Sequence, residues 1–236
     1  MDYSFVAERA ELVRARISAA ASRAGRDPGG IELLAVTKFH PVEAVRAAWD
    51  AGLRSFGESR VQEAEAKFPA FLAERPEARL DMIGHIQSNK AKKAVAIFSR
   101  LQSVDSAELL LGLDARALAA DRKLEVLLEL HTGEESKEGF PGAEELYRAL
   151  DLLLGKKERA LEPRGLMTMA PIASEEAPVR ASFSTLRMAL EECRHRFGLD
   201  CFDVLSMGMS GDYEIAVAEG STLLRIGTAL FGARSA

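Results

Sequence analysis

The chain is poor in the features that mark several large classes of protein. It has only two cysteines, Cys193 and Cys201, and their spacing fits neither a metal-ligand pattern nor a disulfide framework. A reduced, cytoplasmic compartment is the expectation. No apolar run approaches the length that spans a bilayer. The N-terminus, MDYSFVAERAELV, carries Asp2 and Glu8 where a signal peptide needs an uninterrupted apolar stretch. Basic residues are not in excess: 31 Lys and Arg stand against 36 Asp and Glu, so the footprint of a nucleic-acid binder is missing. The densest basic run, Lys90, Lys92 and Lys93, falls on an expected helix and reads as a solvated face. There is no linker or low-complexity tract. The expectation is a single domain over residues 1–236, with no nucleic-acid or membrane partner.

What is present is alternation. An amphipathic helix over about residues 3–24 opens the chain, with Val6, Ala10, Val13, Ile17, Ala20 and Ala24 at steps of three and four. Short apolar runs then read as strands at 31–37, 53–56, 80–84, 101–104, 124–130, 165–168, 203–205 and 223–226. Helical stretches follow each of them, at about 41–51, 59–73, 87–98, 106–121, 143–154, 174–196, 211–219 and 228–233. Parallel strands need crossovers of this length, and runs such as LLAV and VLLEL suit strands covered on both faces. Eight units in this length predict an α/β fold, a (β/α)8 TIM-type barrel over about residues 31–234 with an extra N-terminal helix. An open doubly wound sheet is the runner-up, but the Gly-rich dinucleotide fingerprint is missing after the first strand.

In such barrels the chemistry sits at the C-terminal ends of the strands. Those positions hold Lys38; Gly57, Glu58 and Ser59; His85; Asp105; HTGEESKEG at 131–139; MTMAP at 167–171; SMGMSGD at 206–212; and RIGT at 225–228. They are polar or small, and the strand starts are expected not to be. Lys38 is either a charge leaving the mouth for solvent or an amine desolvated enough to attack a carbonyl. The loops after strands seven and eight resemble a phosphate cradle, with hydroxyls at Ser206 and Thr228 and a glycine at Gly227. Ser210 and Asp212 read as helix caps. Arg225 lies inside the last strand, either in a cross-barrel salt bridge or facing a ligand nitrogen or carboxylate. His85 and Asn89 carry weaker signals. Glu134, Glu135 and Lys137 either line the mouth or are solvated.

Lys38 with FGESRVQEA, IGHIQSNK, QSVDS, GEESKEGF, RGLMTMAP and LSMGMSGDYEIAVAEGSTLLRIGTALFGAR resembles the pyridoxal phosphate homeostasis (YggS-type) family from about residue 31 to Arg234. The resemblance implies a barrel related to the N-terminal domain of alanine racemase, a fold-type III pyridoxal phosphate barrel. Lys38 would be the Schiff-base lysine. Ser206, Gly227 and Thr228 would hold the phosphate, Arg225 would face the pyridine nitrogen, and Met207, His85 and Ser59 would complete the cofactor-binding set. A guanidinium only donates, so the ring nitrogen would stay unprotonated and the ring would be a weak electron sink. The family commonly reads Gly-Glu-Asn where this chain has Gly57, Glu58 and Ser59, so an asparagine contact does not carry over unchanged. Racemases of this barrel type add a tyrosine base from a separate β-domain. That domain is absent from this sequence, and Tyr3, Tyr147 and Tyr213 fall on helical stretches. The implied function is therefore non-catalytic: storing, buffering or delivering pyridoxal 5'-phosphate, with apo-enzymes as transient partners and a monomer as the working unit. A racemase-like enzyme is the alternative.

Overall fold

The computed structural model describes residues 3–133, 139–173 and 175–232. Its centre is a closed barrel of eight parallel strands in chain order: β1 Glu32–Val36, β2 Ser55–Glu58, β3 Arg79–Met82, β4 Arg100–Val104, β5 Leu124–Glu129, β6 Leu161–Met167, β7 Val204–Ser206 and β8 Leu223–Ile226. Around it lie α1 Val6–Arg23, α2 Val42–Asp50, α3 Val61–Glu74, α4 Ala91–Ile97, α5 Ala107–Ala119, α6 Ala143–Leu154, α7 Glu176–Phe197, α8 Tyr213–Ala218 and α9 Thr228–Phe231. The extra helix α1 packs along α8, α2 and α9 and buries Val6, Ala10, Val13, Ile17, Ala20 and Ala21. Ala24, expected on that stripe, is the exposed C-cap residue instead. No helix among the described residues is long and apolar enough to cross a membrane.

Two strands sit elsewhere than the sequence suggests. β2 is 55–58, not 53–56, because buried Leu53 belongs to the turn after α2; Gly57 and Glu58 are therefore in the sheet. β6 begins four residues earlier than expected. Pro163, which lacks a donor, and Gly165 hide it from a propensity reading, and the register with β5 shifts between Val126 and Leu127 at this point.

The barrel interior is split by polarity. Leu34, Val36 and Leu223 form a small apolar cluster, with Ile83 and Val204 packed on it. The base is polar, which corrects the expectation of apolar strand starts. Arg100 donates through Nε to Asp81 Oδ2 at 2.7 Å and through NH2 to Glu32 Oε1 at 3.0 Å, and Ser55 Oγ donates to Glu32 Oε1 at 2.5 Å. Asp81 is wholly inaccessible, and burial pushes its carboxyl up to about 6 although Arg100 and Gln102 both donate to it. Cys193 is buried on α7, its thiol pushed up to about 12 by burial, while Cys201 is exposed; both are free thiols.

Candidate ligand site at the barrel mouth

Lys38 stands two residues beyond β1 and is half-buried. Leu34 and Val36 face the interior, and Lys38 follows in the turn at the end of the strand. The backbone then turns sharply. Phe39 holds φ +67°, the left-handed region that bulky residues seldom adopt. Its N–H donates to Glu63 Oε2 at 3.0 Å, and the Arg60 guanidinium lies 5.5 Å from its ring centroid. These contacts hold the turn next to Lys38.

Thr37 points outward, toward α3. Its hydroxyl donates to Glu58 Oε1 at 2.7 Å. Lys67 Nζ, from α3, donates to the same oxygen at 2.6 Å and to the Thr37 carbonyl at 2.8 Å. Glu58 is fully buried and its Oε2 has no hydrogen-bond partner. Burial therefore raises its carboxyl above the ordinary range, against the pull of Lys67 and Thr37. This clamp binds the ends of β1 and β2 to α3 directly behind the lysine. A reading confined to strand ends passes over Lys67. The available signal was its place three residues after Ala64 and four before Phe71, on the buried stripe of α3.

Arg225 pairs in register with Leu34 of β1 and is almost entirely buried. Its NH1 donates to the Ser206 carbonyl at 2.8 Å and to Ser206 Oγ at 2.6 Å; its NH2 donates to the Thr168 carbonyl at 2.8 Å. Among the described residues these hydrogen bonds all go to uncharged acceptors. Burial lowers its pKa to about 10, with Glu129 and Asp212 opposing, so it remains charged at neutral pH. The Thr168 position is fixed in turn. Its hydroxyl donates to the Leu130 carbonyl at 2.8 Å, so at 2.7 Å it accepts from Thr132, whose oxygen accepts from Ser182 of α7 at 2.5 Å.

The remaining candidates separate into groups. Ser206 is the last residue of β7, not part of a loop, and its hydroxyl hydrogen is already used on Gln102 Oε1 at 2.6 Å. Here it supports Arg225 rather than offering a loop donor. Met207 is wholly buried in the outer core and its N–H donates to the Leu223 carbonyl at 3.2 Å, so the structure gives it a packing role. Gly227 is the N-cap residue of α9 and Thr228 its first residue, where N–H groups lack intrahelical acceptors. Ser210, expected to cap α8, instead accepts from Ala229 N at 3.1 Å and so ties the β7 loop to α9. Asp212 takes the α8 N-cap position, and its carboxylate accepts from Met209 N at 2.6 Å.

His85 and Ser59 meet at a cleft of about 510 Å³, lined also by Arg60, Glu63, Gln87 and Lys90. His85 is half-exposed, with Nδ1 3.2 Å from Asp105 Oδ2. Gly84 lets the β3 loop close onto Ser59: a Cβ there would stand 2.5 Å from the Ser59 carbonyl oxygen. Asn89 is exposed. Glu134, Glu135 and Lys137 lie outside the described residues. No group of three or more metal-ligating His, Cys, Asp or Glu side chains occurs among the described residues.

This barrel, with an amine at the end of β1 and a buried guanidinium in β8, is of a recognised class. A family model described as alanine racemase, N-terminal domain, matches residues 10–235. A Pseudomonas aeruginosa protein named pyridoxal phosphate homeostasis protein is 43% identical over 232 residues, covering 98% of this chain and 96% of the relative. The structure of PipY from Synechococcus elongatus with PLP bound is 37% identical, with TM-score 0.81, covering 96% of this chain and 100% of that one. Alanine racemase from Clostridium difficile shares the fold at 12% identity and TM-score 0.72, and the match spans 58% of its length. The chain therefore belongs to the pyridoxal phosphate homeostasis proteins, within the alanine racemase N-terminal domain family.

Proposed function

We propose that the chain is a single pyridoxal 5'-phosphate-binding barrel that stores, buffers or delivers the cofactor in the cytoplasm, without a reaction of its own. One observation carries this reading. Lys38 follows the end of β1 and Arg225 lies on the neighbouring strand β8, the amine near the rim and the guanidinium inside. Arg225 is a buried cation that already contacts neutral oxygens, and a neutral ring nitrogen is the acceptor suited to it. Gly227 and Thr228 offer N–H groups at the start of α9 for a phosphate, and Lys38 offers the amine. Bound pyridoxal phosphate supplies an aldehyde for that amine and a ring that withdraws electrons only weakly while its nitrogen is unprotonated.

The residues on hand favour holding over turnover. Two-base racemisation of amino acids needs a proton donor or acceptor on each face of the substrate. Tyr3, Tyr147 and Tyr213 are each buried among helices, and burial raises the pKa of Tyr3 and Tyr147. The racemase alternative rests on likeness of fold at low identity. Purified protein is expected to be yellow, and borohydride followed by peptide mass spectrometry is expected to place the cofactor on Lys38. A Lys38→Ala protein whose main species still carries a covalent adduct elsewhere would overturn the assignment. Lys38-dependent appearance of the opposite enantiomer from a single-enantiomer amino acid would defeat the non-catalytic reading. Transfer to an apo-enzyme faster than free exchange would support delivery, and light scattering of the eluting species checks the monomer.

A further inference from the structure

A line of buried polar side chains runs down the inside of the barrel, from the mouth to its base. Arg225 NH1 donates to Ser206 Oγ at 2.6 Å, Ser206 Oγ donates to Gln102 Oε1 at 2.6 Å, and Gln102 Nε2 donates to Asp81 Oδ2 at 2.5 Å. Arg100 closes the line at Asp81 and ties it to Glu32. Ser206, Gln102 and Asp81 are completely inaccessible, and the two arginines nearly so.

The direction of each hydrogen follows from its neighbours. A carboxylate only accepts, so Asp81 takes the amide hydrogens of Gln102. That turns the Gln102 oxygen toward Ser206, which must donate to it. With its one hydrogen used, the Ser206 oxygen is left to accept from Arg225. Reversing the amide would set its oxygen against Asp81. Barrel interiors are ordinarily filled with branched apolar side chains, and a buried amide or carboxylate there costs stability. Such a column calls for a use beyond filling space.

We infer that Gln102 and Asp81 are positioning residues for Arg225: through Ser206 they fix the plane and angle at which its guanidinium meets the cofactor ring. The inference rests on the proposed reading that Arg225 faces bound pyridoxal phosphate. NH1 is held by Ser206 and NH2 by the Thr168 carbonyl, so the guanidinium has two anchors on opposite sides. Removing Gln102 leaves the Ser206 hydroxyl free to turn and donate elsewhere, so that of the two NH1 contacts only the Ser206 carbonyl stays fixed and the NH1 anchor loosens. Cofactor affinity and the absorbance of the bound ring then change although neither Gln102 nor Asp81 touches the ring.

The test uses full-length protein and three variants: Gln102→Met, which keeps side-chain length without the amide, Arg225→Gln, and their combination. Cofactor affinity is read by absorbance titration, together with the position of the visible band of the bound cofactor. Gln102→Met is expected to move the band in the same direction as Arg225→Gln and to weaken binding about tenfold, as for one lost charge-assisted contact. The combined variant should bind no more weakly than Arg225→Gln alone, because both remove the same interaction. Additive losses, or a lowered melting temperature with an unmoved band, would show a merely structural role and overturn the inference. If Arg225→Gln changes nothing, the reading of Arg225 itself fails and the inference with it; if only Gln102→Met changes nothing, the inference alone fails. Should Gln102→Met not fold, Ser206→Ala breaks the line one link higher and is judged by the same band and the same additivity.

Discussion

Replacing Lys67 by methionine tests the clamp behind Lys38. In the native protein Lys67 donates to Glu58 at 2.6 Å and to the Thr37 carbonyl at 2.8 Å, with only 10% of the lysine side chain and none of the glutamate exposed. Methionine keeps the length but leaves Glu58 as a buried carboxylate with one hydroxyl donor, Thr37, and an oxygen that already lacks a partner. Breaking one side of a buried pair costs about 3–5 kcal/mol. In a chain of this size, each kcal/mol lowers Tm by about 2–4 °C, so a fall of roughly 10 °C is expected. The pH dependence follows from the sign of the Glu58 shift. Its folded pKa is already raised, so its contribution is most favourable below the ordinary glutamate value and is lost as pH rises through the folded pKa. Without Lys67 that pKa rises further, and the deficit of Lys67→Met should shrink from pH 8 to pH 5. Urea denaturation at the two pH values measures it. Adding Glu58→Gln should recover about 2 kcal/mol at pH 8, since it removes the stranded charge. A Lys67→Met protein as stable as the native one at pH 8, or one not rescued by Glu58→Gln, would refute this account.

Three further outcomes follow. In Gly165→Ala the new Cβ would stand 1.9 Å from the Val204 carbonyl oxygen of the paired strand, so β6 and β7 must part; a loss above about 3 kcal/mol is expected by chemical denaturation. Asp81, raised to about 6 by burial, stabilises the fold most below the ordinary aspartate value and loses that contribution as pH rises through 6. Native stability measured against Asp81→Asn should therefore fall by up to about 3 kcal/mol between pH 4 and pH 7. Ser210→Ala removes the acceptor for Ala229 N–H and should cost about 1 kcal/mol, detectable as a small Tm decrease.

Much of the architecture was legible because parallel barrels repeat one unit. The near-continuous ELLAV of β1, the helical intervals and the polar strand ends put Lys38 just past the first strand and Arg225 within the last one. The polar base was not legible. Glu32, Asp81 and Arg100 lie on three different strands, and only closure of the barrel brings Arg100 to Glu32 across 68 residues of sequence. The strand position of Ser206 is hidden for a related reason. Its small, glycine-rich surroundings look like a loop, whereas the last position of β7 turns its side chain inward. Ser210 could not be assigned from sequence either, because its acceptor oxygen serves a helix that begins eighteen residues later, at Thr228. β6 was read short because proline and glycine, which usually end strands, here mark an irregularity inside one.

The left-handed turn at Phe39 has a bearing on exchange. Holding a non-glycine residue there costs roughly 1–2 kcal/mol, which Glu63 of α3 and Arg60 at its N-cap offset. Glycine at 39 would relieve that cost and widen the arc swept by the neighbouring amine. The chain would gain stability while the amine met its target less often. Residence time of an exchangeable ligand and robustness of the fold would then move in opposite directions. With attachment at Lys38 as proposed above, the rate of loading and release would be adjustable at the turn one residue away, leaving Lys38 itself untouched.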